Sequence, residues 1–273
     1  EAYLVPDSSA VVVNDKGQPI DTTYCVLDLE TTGLSAKTEK ITEIGIMKIV
    51  NGKVVDKFSE FVNPEKHIPE RVQEITGITD DMVIDSPKIE ELFPKILEFI
   101  KESVLVAHNA TFDIGFLRNV AKNLGYEFDF TYVDTLPLAR KLYPELKKHK
   151  LGKIAEHLGI EVLVAHRALD DVDTTVKVLS QMMKELKKRG AKTVGDIATL
   201  SNNAQMIILF ICGFINIISI FFISKNQITH TKKLITLNVI HLLLGNIINI
   251  ITGITNIILL STKTSDVEEI KEE

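Results

Sequence analysis

The chain has 273 residues, a formal charge of −6 at pH 7, 45% hydrophobic residues and two cysteines. That length supports one good core plus an appendage, and the mild acidity argues against a general nucleic-acid coat protein while leaving room for an acidic metal site with local basic contacts. Cys25 and Cys212 lie far apart in segments of unlike character, so no disulfide framework is expected and a reducing, cytosolic compartment fits best.

The chain starts at Glu1 rather than Met, which points to a fragment or a processed product, and "EAYLVPDSSA" lacks the basic start and apolar run of a signal peptide. Residues 1–21 contain "AVVVNDKGQPI", which predicts a short flanking hairpin turning at Asn14 to Gly17. Next comes "TTYCVLDLETTGL", a buried-strand pattern carrying two acids. Strand side chains alternate, so Asp28 and Glu30 share one face while Leu27 and Leu29 take the other. Buried charges need a partner or a metal; the alternative is an exposed edge strand with its acids in solvent.

"KITEIGIMKIVNGKVVDKFSEFV" predicts two further strands joined by Asn51-Gly52, so three successive strands form an antiparallel meander. "PERVQEITGIT" and "IEELFPKILEFIKE" predict helices, the second with Leu92, Ile96, Phe99 and Ile100 as its stripe. "VLVAHNATFDIGFLRNVAKNLG" predicts a buried strand running into a helix that stops at Gly125, with Asp113 in the first helical turn. An acid there often does no more than complement the helix dipole. "FTYVDTLPLARKLYP" repeats the scheme with Asp134 at the junction, as a helix cap or an indirect support of the site rather than a ligand. The last helix, from about Leu169 to Arg189, is amphipathic through Val172, Val176, Leu179, Met183 and Leu186. Strands and helices in this order predict an α/β domain with a mixed sheet, the meander followed by strand–helix units.

"HRALDDVD" places His166 ahead of three acids at the head of that helix. At about 100° per residue, Asp170 lies nearly opposite the apolar stripe and is expected in solvent. Asp171 and Asp173 flank the stripe on either side, and Asp173 can pair with Lys177. Periodicity does not choose between those two.

Composition changes near residue 205. Residues 191–205 are expected to be a linker, followed by charge-free segments at 206–223 and 234–260 and an acidic tail at 261–273. A span needs roughly 20 apolar residues, so the first segment is marginal and the second long enough for a C-terminal apolar helical hairpin attaching the chain to a membrane. Against this stand Asn216, Asn246, Asn249 and Asn256, and a Lys-bearing connecting loop that runs against the positive-inside tendency. The competing reading is a fusion or a shifted reading frame.

Taken together, "VLDLETTGL", "AHNATFDIGFL", "VDTLPLAR" and "HRALDDVDTT" resemble the successive motifs of the DEDDh family of 3′→5′ exonucleases, in that order and at suitable separations. Within that family, residues 1–204 are similar to the proofreading exonuclease inserted in the Gram-positive type of replicative DNA polymerase III, the resemblance ending at Gln205. It implies a ribonuclease H-like fold over residues 22–190, with Asp28, Glu30, Asp113 and Asp171 as catalytic metal-binding carboxylates and His166 as general base. The family's spacing from histidine to last acid selects Asp171. Two Mg²⁺ or Mn²⁺ ions are implied, held by carboxylates because hard cations prefer oxygen. The resemblance further suggests that Thr31 and nearby amides hold the terminal nucleotide, that Leu34 packs beside its base, and that His108 and Asn109 lie near the scissile bond. "KKHK" at 147–150 reads equally well as a phosphate contact or as a solvated loop.

The leading expectation is thus a metal-dependent 3′→5′ exonuclease acting in the cytoplasm on single-stranded DNA ends, with replicative polymerase components as partners. An RNA-trimming enzyme, a nuclease-like module tethered to a membrane, and a truncated or chimeric product without a settled role are the alternatives.

Overall fold

A computed structural model of the chain describes residues 9–162 and 167–201, all within one unit covering residues 1–203. Its centre is β2 (Tyr24–Thr31), flanked by β3 (Ile41–Val50) running antiparallel and β5 (Val104–Ala107) running parallel. Beyond β3 lies β4 (Lys53–Phe61); beyond β5 lies β6 (Tyr132–Asp134), with β1 (Val12–Val13) at that edge, giving the order β1-β6-β5-β2-β3-β4. The meander turns at Asn51 and Gly52, whose φ values of 51° and 74° suit the tight hairpin turn that Asn-Gly favours.

Helices cover both faces. On one, α3 (Ile89–Ile100) and α4 (Ala110–Leu124) pack Leu92, Phe93, Ile96, Ile114 and Leu117 against Cys25, Leu27 and Leu29 of β2. On the other, α5 (Thr135–Leu142), α6 (Leu151–His157), α7 (Ala168–Lys188) and α8 (Val194–Leu200) pack Leu138, Ile154, Val172, Leu179 and Ile197 against Tyr24 and Val26. The short α1 (Glu70–Thr76) and α2 (Asp80–Val83) enclose a small satellite core of Ile68, Ile78 and Val83. The sequence period is therefore obeyed along β2: Asp28 and Glu30 continue the row begun by Tyr24 and Val26, on the α7 side of the sheet.

Three expectations need correction. The opening segment turns where expected, with Asn14 and Gly17 both at positive φ, but it does not fold back on itself: Val12 and Val13 pair with Val133 and Tyr132 of β6. Residues 191–205 are not simply a linker, since α8 buries Val194 and Ile197 completely. Thr193 and Asp196 form a reciprocal capping box there, the Thr193 hydroxyl accepting from the Asp196 N–H and the Asp196 carboxylate from the Thr193 N–H at 2.8 Å. Third, the buried side of α7 runs through Ala168, Val172, Thr175, Val178, Leu179, Met182 and Leu186, with Val176 and Met183 only partly covered. The helix is rotated relative to the predicted stripe, toward the side that carries Asp171.

Among the described residues no helix is long and apolar enough to cross a membrane. The apolar segments at 206–223 and 234–260, the acidic tail and His166 lie outside the described residues.

Candidate metal and nuclease site

β5 accompanies β2 only from Tyr24 to Val26. Beyond that point the C-terminal half of β2 faces the start of α4 instead of a strand, and the Leu29 N–H needs another acceptor. It donates to Asp113 Oδ1 at 3.0 Å. Asp113 thus stands beside the backbone link between Asp28 and Glu30, and it is 2% exposed. From the sheet's other side α7 brings Asp171, so that Asp28, Glu30 and Asp171 each place a carboxylate oxygen within 4.8 Å of the others.

The approach of α7 depends on β3. Asp28 lies opposite Gly45 in the β2–β3 register, and a Cβ on Gly45 would sit 2.8 Å from the Ala168 carbonyl carbon and 2.8 Å from the Leu169 nitrogen. Only a residue without a side chain lets the first turn of α7 rest on the strand. Gly45→Ala is accordingly expected to destabilise the fold by about 1–3 kcal/mol, the usual cost of overpacking, measurable by denaturant titration. It would also lift Asp171 from its two partners.

Glu30 lies opposite Glu43, a like-charge pair that would be unfavourable without compensation. Glu43 is answered by Arg167, whose Nη2 donates to Oε1 at 2.8 Å and whose Nε donates to Oε2 at 3.2 Å. The register then shifts between Glu30 and Thr31, a bulge at the strand end that carries the acids.

Burial pushes the Asp28 carboxyl well above the usual carboxylate range, reinforced by Asp113, Glu30, Asp171 and Glu43. Asp113 is raised in the same way, chiefly by burial, with Asp134 and Glu30 adding to it. Glu30 is pushed up to about 7 by burial and by the charges of Asp171 and Glu43, which Arg167 partly offsets. Acids this crowded resist ionising together, and a bound divalent cation is what relieves such a set. The oxygen-only donors suit a hard cation. Asp28, Glu30 and Asp171 converge with Asp113 beside them, and the donor set fits a divalent metal.

The remaining expected residues are placed less uniformly. Asp170 is exposed on the far side of α7, and Asp173 pairs with Lys177 at 2.7 Å away from the cluster. The Thr31 hydroxyl donates to the Gly33 carbonyl at 2.7 Å, closing the turn after β2. Leu34 at the tip of that loop is 89% exposed, and the loop is tied at its base by the Thr32 hydroxyl on Glu39 and by Lys66 on the same carboxylate, each at 2.6 Å. Asn109 is exposed at the start of α4 in the left-handed conformation, φ 65° and ψ 48°. His108 is partly buried, with Nδ1 at 2.9 Å from the Thr135 hydroxyl. Burial, helped by the Arg140 charge, pushes it down to about 4, so its imidazole is neutral at physiological pH. Asp134 caps α5 by accepting from the Leu136 N–H at 2.9 Å and also accepts from the Asn109 N–H at 3.1 Å, tying the two strand–helix junctions together.

Glu43, Gly45 and Arg167 escaped the sequence reading. The signal was there in "ITEIGIM", where the alternation that isolates Asp28 and Glu30 also puts Glu43 and Gly45 on one face of a buried strand.

Residues 25–179 match the family described as Exonuclease. The DNA polymerase III PolC-type of Clostridium perfringens is 44% identical over 201 residues, which are 74% of this chain and 14% of that protein. That of Thermotoga maritima is 39% identical over 205 residues, again 74% of this chain and 15% of the relative. The chain thus spans 14–15% of the length of these curated relatives. Among solved structures, one described as exonuclease X in complex with 5′ overhanging duplex DNA is 28% identical, with a TM-score of 0.53 over 66% of this chain and 99% of that one. E. coli exonuclease I in complex with a dT13 oligonucleotide shares the fold at 18% identity, with a TM-score of 0.56 over 61% of this chain and 42% of its own.

Proposed function

We propose, from the premise that this chain belongs to the exonuclease family, that it removes nucleotides one at a time from the 3′ end of single-stranded DNA by metal-dependent hydrolysis. The setting that fits its relatives is proofreading in the cytoplasm beside a replicative DNA polymerase. The observation that carries the reading is the convergence of Asp28, Glu30 and Asp171, oxygens within 4.8 Å, from a strand and a helix more than a hundred residues apart. Structural acids rarely gather so, because the repulsion among them has to be offset elsewhere.

Asp28, Glu30 and Asp171 would hold two Mg²⁺ or Mn²⁺ ions, with Asp113 completing the set. Such ions, when bound, supply the positive charge that orients a water, neutralises the phosphate and stabilises the departing 3′ oxygen. His166 would take the proton of the attacking water, imidazole being the usual side-chain general base near neutral pH. Leu34 offers an exposed apolar side chain to the terminal base. Thr31 shapes the turn that presents it, and Asn109 lies exposed at the adjoining helix start. His108, held neutral and bonded to Thr135, adds no positive charge for a phosphate and instead braces the junction. Nothing in this set reads base edges, so the attack is independent of sequence.

The test is release of 5′-mononucleotides from a 3′-labelled single strand with Mg²⁺, comparing the unmodified chain with His166→Ala and Asp170→Ala. His166→Ala is expected to slow release by roughly 10²–10⁴-fold, the usual worth of a general base, whereas the exposed Asp170 can be removed with little effect. Equal rates for all three would refute the assignment. Faster loss of a matched RNA strand would move the substrate class to RNA.

A further inference from the structure

Four carboxylates, Asp28, Glu30, Glu43 and Asp171, gather on the α7 side of the sheet, and one of them, Glu43, is held by an arginine and a helix N–H. Both oxygens of Glu43, which is buried with its side chain 4% exposed, are engaged. Oε1 accepts from Arg167 Nη2 at 2.8 Å and Nε at 3.3 Å, while Oε2 accepts from Arg167 Nε at 3.2 Å and from the Ala168 N–H at 3.1 Å. The last of these is one of the N–H groups that the first turn of a helix leaves without an internal partner. Glu43 therefore caps α7 from a neighbouring strand, and both of its oxygens are already engaged by protein donors. The guanidinium it grips lies over the Phe61 ring, 5.2 Å from its centroid. Phe61 and Glu43 are direct partners in the β3–β4 register, so two adjacent strands present a charged wall and an aromatic floor to one planar group.

We infer that Glu43, Phe61 and Arg167 form a clamp that locks the first turn of α7 onto the sheet and so sets Asp171 opposite Asp28 and Glu30, making all three positioning residues for the metal site. The inference rests on the nuclease reading for its purpose but on bonding geometry for its content. Asp171 stands four residues after Arg167, one helical turn along, so any slip or rotation at the cap moves its carboxylate directly. Arg167 also follows His166 in sequence, so the clamp fixes the point at which the chain bearing the proposed base enters the helix. A lysine cannot substitute, because an ammonium offers neither the bidentate fork nor the flat face.

A purely electrostatic role for Arg167 predicts the opposite outcome. Removing a cation from beside an acidic pocket should tighten the binding of another cation; loosening a positioning clamp should weaken it. The experiment is a Mn²⁺ titration of the full chain followed by electron paramagnetic resonance, without nucleic acid, on the unmodified protein, Arg167→Lys, Arg167→Ala and the double variant Glu43→Gln/Arg167→Ala. The double variant removes both charges and so does not strand a buried carboxylate at position 43, and it is expected to keep the fold where the single alanine does not; circular dichroism checks this. All folded variants, Arg167→Lys included, are expected to bind Mn²⁺ about 10–100-fold more weakly, the usual effect of removing a group that orients metal ligands. On a single-stranded 3′ end, kcat should fall while KM stays within about threefold. Unchanged or tighter Mn²⁺ binding in the folded double variant, or full retention by Arg167→Lys, would overturn the clamp. The titration uses no substrate, so its result stands apart from whether the chain cleaves DNA.

Discussion

Asp28→Ala is expected to abolish nucleotide release almost completely while leaving the metal-free fold at least as stable as before. Asp28 occupies the middle of the cluster, sharing the strand face with Glu30 and facing α7 across Gly45. Stabilising the charge of a phosphodiester transition state by bound metal is worth several kcal/mol, and each 1.36 kcal/mol is a factor of ten in rate. The loss should therefore be roughly a thousandfold or more. The expected stability change has the opposite sign from an ordinary core truncation. The Asp28 carboxyl is burdened by burial and by four neighbouring acids, so removing it relieves repulsion and desolvation together, the stability–activity conflict typical of working sites. The melting temperature without metal should stay level or rise. A variant keeping more than a tenth of the unmodified rate would remove Asp28 from the site. One that lost activity only by unfolding would show that the carboxylate is structural.

Much of this was legible in the sequence because it is local. Period-two alternation put Asp28 and Glu30 on one face, and Asn51-Gly52 marked a hairpin whose two residues do adopt positive φ. Gly125 ended α4 in the left-handed conformation, as a helix stop should. What failed was non-local or depended on which side of an element meets the sheet. The turn at Asn14 to Gly17 is real, but the strand it follows finds its partner near Tyr132, a pairing that no short-range pattern encodes. Periodicity left Asp171 and Asp173 open and only the family's spacing selected Asp171; the physical reason is the rotation of α7, which is fixed by packing against Gly45 and Glu43 rather than by the helix's own apolar residues. With Val172, Thr175, Val178, Leu179 and Met182 inward, Asp171 falls on the sheet side and Asp173 is left to Lys177. The α8 helix was missed although its capping box, Thr193 with Asp196, stands in the sequence.

The crowding of acids also sets how the metal-free fold should respond to pH, and the sign follows from linkage. Glu30 titrates near 4.5 in an unfolded chain and at about 7 in the folded one, so between those values the unfolded chain has released a proton that the folded chain still holds. Raising the pH therefore favours unfolding: the contribution is fully present below about pH 4.5 and lost by about pH 7. Asp28 and Asp113, raised well above the ordinary value, and Asp134, raised from 3.8 to about 6, act in the same direction. His108 opposes them, because its pKa falls to about 4 and its contribution grows as pH rises toward 6.5, but it is one group against four. Asp80, Asp129, Asp196 and Glu39 are lowered by hydrogen bonds and ion pairs, so their gain is complete by about pH 5, outside the window. Without divalent metal, the melting temperature should accordingly fall between pH 5 and pH 7.5. Mn²⁺ should reverse this, since a ligand that binds the folded state at a hundred times its Kd adds about 2.7 kcal/mol, and protons compete for the same oxygens. The rise in melting temperature with Mn²⁺ should therefore be large at pH 7.5 and small at pH 5. An equal rise at both values would mean that the cation binds somewhere other than these carboxylates, and Glu30→Gln, which removes the best-defined titration, should flatten the pH profile of the metal-free chain.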